Sequence, residues 1–188
     1  MLTRMLTGAI SISLIWILLI HAAYSQSIHT KQIPSKTLEL LEKKFMMSDV
    51  LAIAKTTGNP KSLNIFFDSN SKRFKHVGTQ DQGEMRVEGY SVMDISSPII
   101  GYSLFFHKAS GSLVIVDTSV NPLNKEAVEI TTLLTKESFD SVAGEEGLKL
   151  YFLGIYDLDR QRHLKIMLRE TKTPTGPENA IRYAISSK

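Results

Sequence analysis

The sequence contains no cysteine, which removes every function that depends on a thiol. Disulfide-stapled scaffolds, cysteine nucleophiles, thioredoxin-like redox centres, cysteine-ligated zinc and iron–sulfur clusters are therefore excluded. The single tryptophan, Trp16, lies in the N-terminal apolar segment. No Asn-x-Ser/Thr sequon occurs either, so N-glycosylation is not expected.

Motifs of common catalytic sites are also missing. The chain has no Gly-x-Ser-x-Gly elbow, no phosphate-binding glycine-rich loop, and no His-x-His or His-Glu-x-x-His pair. We therefore expect no metal ion and no cofactor. A site assembled from distant residues stays open as an alternative.

Positively charged residues are only slightly in excess over negatively charged ones. The 22 Lys and Arg residues face 19 Asp and Glu residues, a formal net charge of +3. So small an excess produces no broad positive field, and nucleic acid is not an expected partner.

The long hydrophobic run of the chain lies at its N-terminus, where residues 1–25 have the pattern of an export signal. Arg4 gives the positive start, and Ala9–Ile20 is an apolar core of the expected length. Ala23 and Ser25 are small residues at the positions that a signal peptidase requires for cleavage before Gln26. We expect a periplasmic or secreted protein.

The same segment could instead remain as a membrane anchor. Gly8–Tyr24 is near the lower length limit for crossing a bilayer, and His21 lies inside it. The cleaved form is favoured because the flanks fit a signal peptide better. Contact with a membrane is expected only through this segment, if it is not removed.

The remaining chain has the composition of a folded domain, with 43% hydrophobic residues overall. Residues 26–34 are polar and without periodicity, which predicts a flexible leader. Residues 35–188 form one domain of common size.

Hydrophobic periodicity divides this domain into helices and hairpins. The spacing predicts a helix over 35–55 and a second helix that begins at Asn121-Pro122. Period-two runs predict three hairpins, whose paired strands are 63–67 with 73–77, 99–107 with 113–118, and 148–156 with 163–169. Residues 136–142 suggest a short helix, and 181–185 fit an edge strand or a short helix. The fold class is α+β: an antiparallel sheet of about five to seven strands built from hairpins, with one or two amphipathic helices on one face.

His107 and Asp117 are the weak candidates for a catalytic pair. They lie on the two strands of one predicted hairpin, where cross-strand neighbours are about 5 Å apart. The alternative is a surface histidine near a turn, which is the commoner situation.

A basic cluster on the last hairpin is the candidate binding surface. Guanidinium groups bind carboxylates and phosphates in a two-pronged geometry. A solvated strand face is the alternative. The residues are Arg160, Arg162, His163, Lys165 and Arg169.

These observations favour an exported, non-enzymatic binding module, such as an envelope accessory factor or an inhibitor or immunity-type protein. Its partner would be another protein or an acidic envelope ligand. Two other classes stay open: a small envelope hydrolase with dispersed His, Asp and Glu residues, and a membrane-tethered structural subunit that keeps its N-terminal segment.

Overall fold

The described part of the chain begins just before the first helix. The computed structural model describes residues 31–143, 147–174 and 176–188. The predicted export signal, residues 1–25, lies outside the described residues. Across the described ranges, none of the helices combines the length and the apolar character that a membrane span requires.

Four helices and eight strands follow one another along these residues. The helices are α1 Ser35–Lys44, α2 Met47–Lys55, α3 Pro60–Ser69 and α4 Lys125–Glu137. The strands are β1 Phe74–Gln82, β2 Met85–Val92, β3 Ile99–His107, β4 Leu113–Val120, β5 Asp140–Ala143, β6 Leu148–Asp157, β7 Arg162–Thr173 and β8 Gly176–Ser187. The α+β class with an antiparallel sheet is confirmed, but there are more strands and more helices than the sequence predicted.

The helical start of the domain differs from its prediction in two ways. The helix expected over 35–55 is broken at Met46, whose φ of 52° lies outside the helical region. The apolar run at 63–67 belongs to α3 and is not a strand. Asn59 caps this helix by accepting a hydrogen bond from the Ser62 N–H, and Pro60 occupies its first turn.

All eight strands join one sheet in the order β1-β2-β3-β4-β8-β7-β6-β5, and every neighbouring pair is antiparallel. The chain forms one four-stranded meander, passes through α4, and forms a second. The last strand, β8, therefore lies at the centre between β4 and β7. The segment 181–185, for which an edge strand and a short helix were both open, is part of this central strand.

The main core lies between the helices and one face of the sheet. Each helix contributes apolar side chains to it, and strand residues such as Leu104, Ile166 and Tyr183 are fully buried against them. The four helices therefore cover the same face.

In the described part of the chain, the opposite face carries two smaller apolar clusters that include no helix residue. One contains Phe105 and Ile115, and the other contains Phe152 and Met167. Asp117 of β4 lies on the same face two residues after Ile115, and its register partner Arg182 pairs in turn with Met167. This face therefore combines apolar patches with a buried charge.

Residues 31–33 pair with the outer part of β6. The Ile33 N–H donates to the Ile155 carbonyl, and the Ile155 N–H donates to the Lys31 carbonyl, each at 2.9 Å. Gly154 permits this approach, because its φ is +139° and a Cβ there would lie 2.5 Å from Ile33 Cα. The edge beside β5 is thus partly covered by the chain itself.

Candidate functional site

A cleft of about 450 Å³ opens between α3 and the two outer strands β1 and β2. The end of α3 forms one wall, and the strands form the floor. Its lining combines aromatic rings, two carboxylates and a histidine, as binding sites for small groups often do. The principal residues are Phe67, Asp68, Phe74, His76, Glu88 and Tyr90.

Tyr90 is the centre of the aromatic part of this cleft. Its ring stacks on Phe67, with the centroids 3.6 Å apart and the planes 5° from parallel. The ring of His76 approaches it edge-on, with 5.0 Å between the centroids. Because Phe67 is on α3 and His76 is on β1, Tyr90 connects the helix wall with the strand floor.

The Tyr90 hydroxyl stays a neutral hydrogen-bond donor. It lies 3.2 Å from Glu88 Oε2 and donates to this oxygen. Burial raises the pKa of the phenol well above its usual value, and the negative charge of Glu88 raises it further. The phenol therefore holds the carboxylate in place over the ordinary pH range.

The cleft carries an excess of negative charge. Glu88 is partly compensated by Arg86, whose guanidinium lies 3.2 Å from Glu88 Oε1. The Asp68 carboxylate forms no ion pair with any described residue. Two carboxylates beside one guanidinium favour a cationic group of a ligand.

The cleft adjoins a free strand edge. β1 pairs with β2 on one side, and no described strand pairs with its other side. A bulge interrupts its pairing between His76 and Gly78, and the run from Gly78 to Gln82 is regular. Because His76 and Thr79 line the cleft, the free edge and the cleft form one continuous surface.

The candidate catalytic pair is not brought together, which corrects the cross-strand expectation. Asp117 pairs in register with Ser103. His107 lies four residues further along β3, or about 13 Å at the usual rise of a strand. Its ring lies 3.5 Å from Ser110 Oγ instead.

Asp117 belongs to a buried ion pair. Arg182 Nε donates to Asp117 Oδ1 at 2.8 Å, and Arg182 Nη2 donates to Oδ2 at 2.7 Å. Burial alone would raise the pKa of the Asp117 carboxyl, but the charge and hydrogen bonds of Arg182 outweigh it and hold the pKa below its usual value. The two-pronged geometry is that of a structural pair in the sheet.

The basic residues at the start of β7 divide between solvent and an internal contact. Arg160 is exposed at the turn between β6 and β7. Arg162 bonds to Asp159 with Nε at 2.8 Å from Oδ2, and its Nη1 lies 3.3 Å from the carbonyl oxygen of Ala54. Arg162 therefore ties this turn to the end of α2.

The other three residues of the cluster lie on the face away from the helices. His163 is buried, with Nε2 3.0 Å from Ser186 Oγ. Arg169 Nε lies 3.8 Å from Asp117 Oδ2, and Lys165 lies between these two on β7. The five residues are thus in three different surroundings.

Sequence reasoning did not find the cleft, because it depends on α3. Reading 63–67 as a strand made Asp68 part of a hairpin tip. The signal available was Asn59-Pro60, a helix cap followed by proline at the first turn. With this start, Phe67 and Asp68 fall in the last turns of a helix.

Comparisons with known proteins give no relative. No family model matches the chain, and neither the curated proteins nor the solved structures contain a significant match. Within the described ranges, no three His, Asp or Glu side chains lie close enough to hold a metal ion.

Proposed function

We propose that this protein is an exported binding module that captures an extended segment of a partner protein. The segment adds to the free edge of β1 and places a basic side chain in the adjoining cleft. The observation that carries the proposal is the cleft of about 450 Å³, with two carboxylates, beside a strand edge with which no strand of the described residues pairs.

The free edge supplies the backbone part of such an interaction. An edge strand has a row of N–H and C=O groups that an extended chain can pair with. The regular run from Gly78 to Gln82 offers these groups without the bulge. An added strand would continue the sheet beyond β1.

The cleft supplies the specificity. Side chains of an added strand alternate between the two faces of the sheet, so every second one lies on the face of the cleft. There the carboxylates of Asp68 and Glu88 attract a lysine or arginine, and Tyr90 offers an aromatic surface to its aliphatic part. An inhibitor, immunity-type or accessory role is consistent with this mode of capture.

Export is supported by the N-terminal pattern of residues 1–25. An intact mass of the protein isolated from its own host distinguishes the cleaved form from a membrane-tethered one. A measured mass that fits a chain starting at Gln26 agrees with the proposal. A mass that includes residues 1–25 favours the membrane-tethered subunit.

Peptide selection on the immobilised protein tests the binding mode. We expect a random peptide library to yield extended sequences with a lysine or arginine at one fixed position. The Asp68→Asn, Glu88→Gln double variant should bind these peptides about tenfold or more weakly, because it loses charged hydrogen bonds. Affinity is measured by fluorescence anisotropy.

The control is Glu42→Gln with Glu129→Gln, which makes the same charge change at exposed helical positions outside the cleft. We expect its affinity to stay within about twofold of wild type, since exposed charges far from a site are screened. Equal losses in both double variants would contradict the role of the cleft. Cleavage of the bound peptide would replace the proposal with the hydrolase alternative.

A further inference from the structure

Two loops at one end of the sheet expose large aliphatic side chains. Ile95, between β2 and β3, is 92% exposed, and Leu123, between β4 and α4, is 89% exposed. Met93, at the base of the first loop, is 52% exposed. Ile and Leu side chains this exposed on adjacent loops form an apolar tip that interior packing does not explain.

The two loops are fixed to each other by asparagine amides. Asn121 Nδ2 donates to the carbonyl oxygens of Ile95 and Ser97, at 3.1 and 2.9 Å. Asn124 Nδ2 donates to the Ser96 carbonyl at 3.0 Å. The tip is therefore preorganised, and ordering its backbone costs little when it meets a partner.

The loops also fix their own shape. The Leu123 N–H donates to Asn121 Oδ1 at 3.0 Å, directly before the exposed side chain. Asp94 Oδ1 accepts hydrogen bonds from the Ser96 N–H and hydroxyl. Both loops thus hold their aliphatic side chains outward.

Three lysines lie on the chain segments next to this apolar tip. Lys72 precedes Arg73, whose carbonyl accepts a hydrogen bond from the Met93 N–H, and Lys75 pairs in register with Ser91. Lys125 follows Leu123 by two residues. Among the described residues, these three lysines take part in no ion pair.

The acidic residues on these segments do not cancel the positive charge. Glu126 is paired with Lys44 at 2.6 Å, and Arg73 is paired with Asp49 at the same distance. Asp94 remains, and so does Asp68, which precedes Lys72 by four residues and has no ion pair among the described residues. Three lysines against two aspartates leave a small positive excess at this end of the molecule.

We propose that this end of the protein docks on an anionic lipid surface, with Ile95 and Leu123 inserted at the boundary between headgroups and acyl chains. Aliphatic side chains flanked by lysines are the composition of interfacial membrane contacts. The lysines would lie at the level of the anionic headgroups. Protein hot spots are instead rich in Trp, Tyr and Arg, which this tip lacks. This inference goes beyond the proposed capture of a partner segment at β1.

Vesicle flotation tests this docking. Protein expressed from the full chain is mixed with vesicles that contain phosphatidylglycerol or with vesicles of phosphatidylcholine alone. We expect binding to the anionic vesicles to be stronger by about fivefold or more, the gain expected for each unit of net positive charge near an anionic surface. Added salt should weaken it.

A loop variant and a matched control locate the contact. The Ile95→Ser, Leu123→Ser variant should bind the anionic vesicles about tenfold or more weakly, because it loses two inserted aliphatic groups. The control, Ile65→Ser with Leu133→Ser, removes two other exposed aliphatic side chains, from α3 and α4. We expect it to bind like wild type. The N-terminal segment is the same in both variants, whether or not the host cleaves it. A difference in vesicle binding between the two variants therefore comes from the loop side chains.

Three results would overturn this docking: no binding of wild type to anionic vesicles, equal binding by the loop variant, or an equal loss in the control. A loop variant that loses self-association or capture of a protein, while lipid binding is nil, would assign the tip to a protein contact instead. Circular dichroism of each variant shows that the fold is kept.

Discussion

We expect the Asp117→Ala variant to lose about 3–5 kcal/mol of unfolding free energy, the usual cost of breaking a buried ion pair from one side. The Asp117 side chain is only 3% exposed, and the Arg182 side chain is 9% exposed. Without the carboxylate, Arg182 is left charged inside the sheet, with Arg169 close by. Urea unfolding at neutral pH, followed by circular dichroism, measures this difference.

The Asp117–Arg182 pair also makes the free energy of unfolding depend on pH in the acid range. Asp117 has a lower pKa in the folded state, so its contribution is fully present above the ordinary pKa of an aspartate, about 3.9. It is lost as the pH falls through the folded value. The Asp117→Asn variant lacks this titration, and its difference from wild type should shrink as the pH falls.

Two controls separate a buried pair from an exposed one. Asp81 lies 3.1 Å from Lys108 in a largely exposed pair, and Asp81→Ala should cost within about 1 kcal/mol. Asp117→Leu with Arg182→Met removes both charges of this pair and should recover part of the loss, because well-packed apolar replacements of buried pairs are often tolerated. Recovery is incomplete because Arg169 also loses the carboxylate beside it. A cost below about 1 kcal/mol for Asp117→Ala would contradict the burial of this pair.

The Phe106→Ala variant is expected to lose about 3–5 kcal/mol of unfolding free energy. Phe106 is 1% exposed on β3 and belongs to the main core under the helices. The Arg86 guanidinium also lies 4.8 Å from its ring centroid. Truncation removes these contacts and leaves a cavity that the rigid strands cannot fill.

Ile65→Ala is the matched truncation at the surface. Ile65 is on α3 and is 58% exposed, so its loss should change stability by less than about 0.5 kcal/mol. Both variants are compared by the midpoint of thermal or urea unfolding. Similar midpoints for the two would contradict the assignment of Phe106 to the core.

The hairpins with strong alternation could be predicted from the sequence. The run 99–107 has the same bounds as β3, and the prediction of a strand over 113–118 falls within β4. The run 148–156 likewise falls within β6. Local periodicity reports which residues face the core, and a short turn brings the two strands of a hairpin together.

Short apolar runs and pairings between residues far apart in the chain could not be predicted from local periodicity. The apolar run 63–67 is too short for its period to distinguish a helix from a strand, and it forms part of α3. The residues 136–142, where a short helix was predicted, contain the end of α4 and part of β5. Central placement of β8 depends on pairing with β4 across more than 60 residues of chain, which a local pattern does not show.

The geometry of the candidate sites could not be predicted either, because it depends on contacts between distant parts of the chain. His107 and Asp117 are near in sequence, but the register of β3 and β4 separates them. The partner of Asp117 is Arg182, 65 residues away. The cleft unites residues of α3, β1 and β2, and only the packing of the helix on the sheet edge brings them together.

Amide hydrogen exchange tests the proposed capture at β1 most directly. Exchange is measured for the wild-type protein alone and with a saturating selected peptide. We expect new protection in β1, concentrated from Gly78 to Gln82, because an added strand would bond to their outward N–H groups. Unchanged exchange in β1, with protection confined to the basic turn around Arg160 and Arg162, would contradict strand addition at this edge.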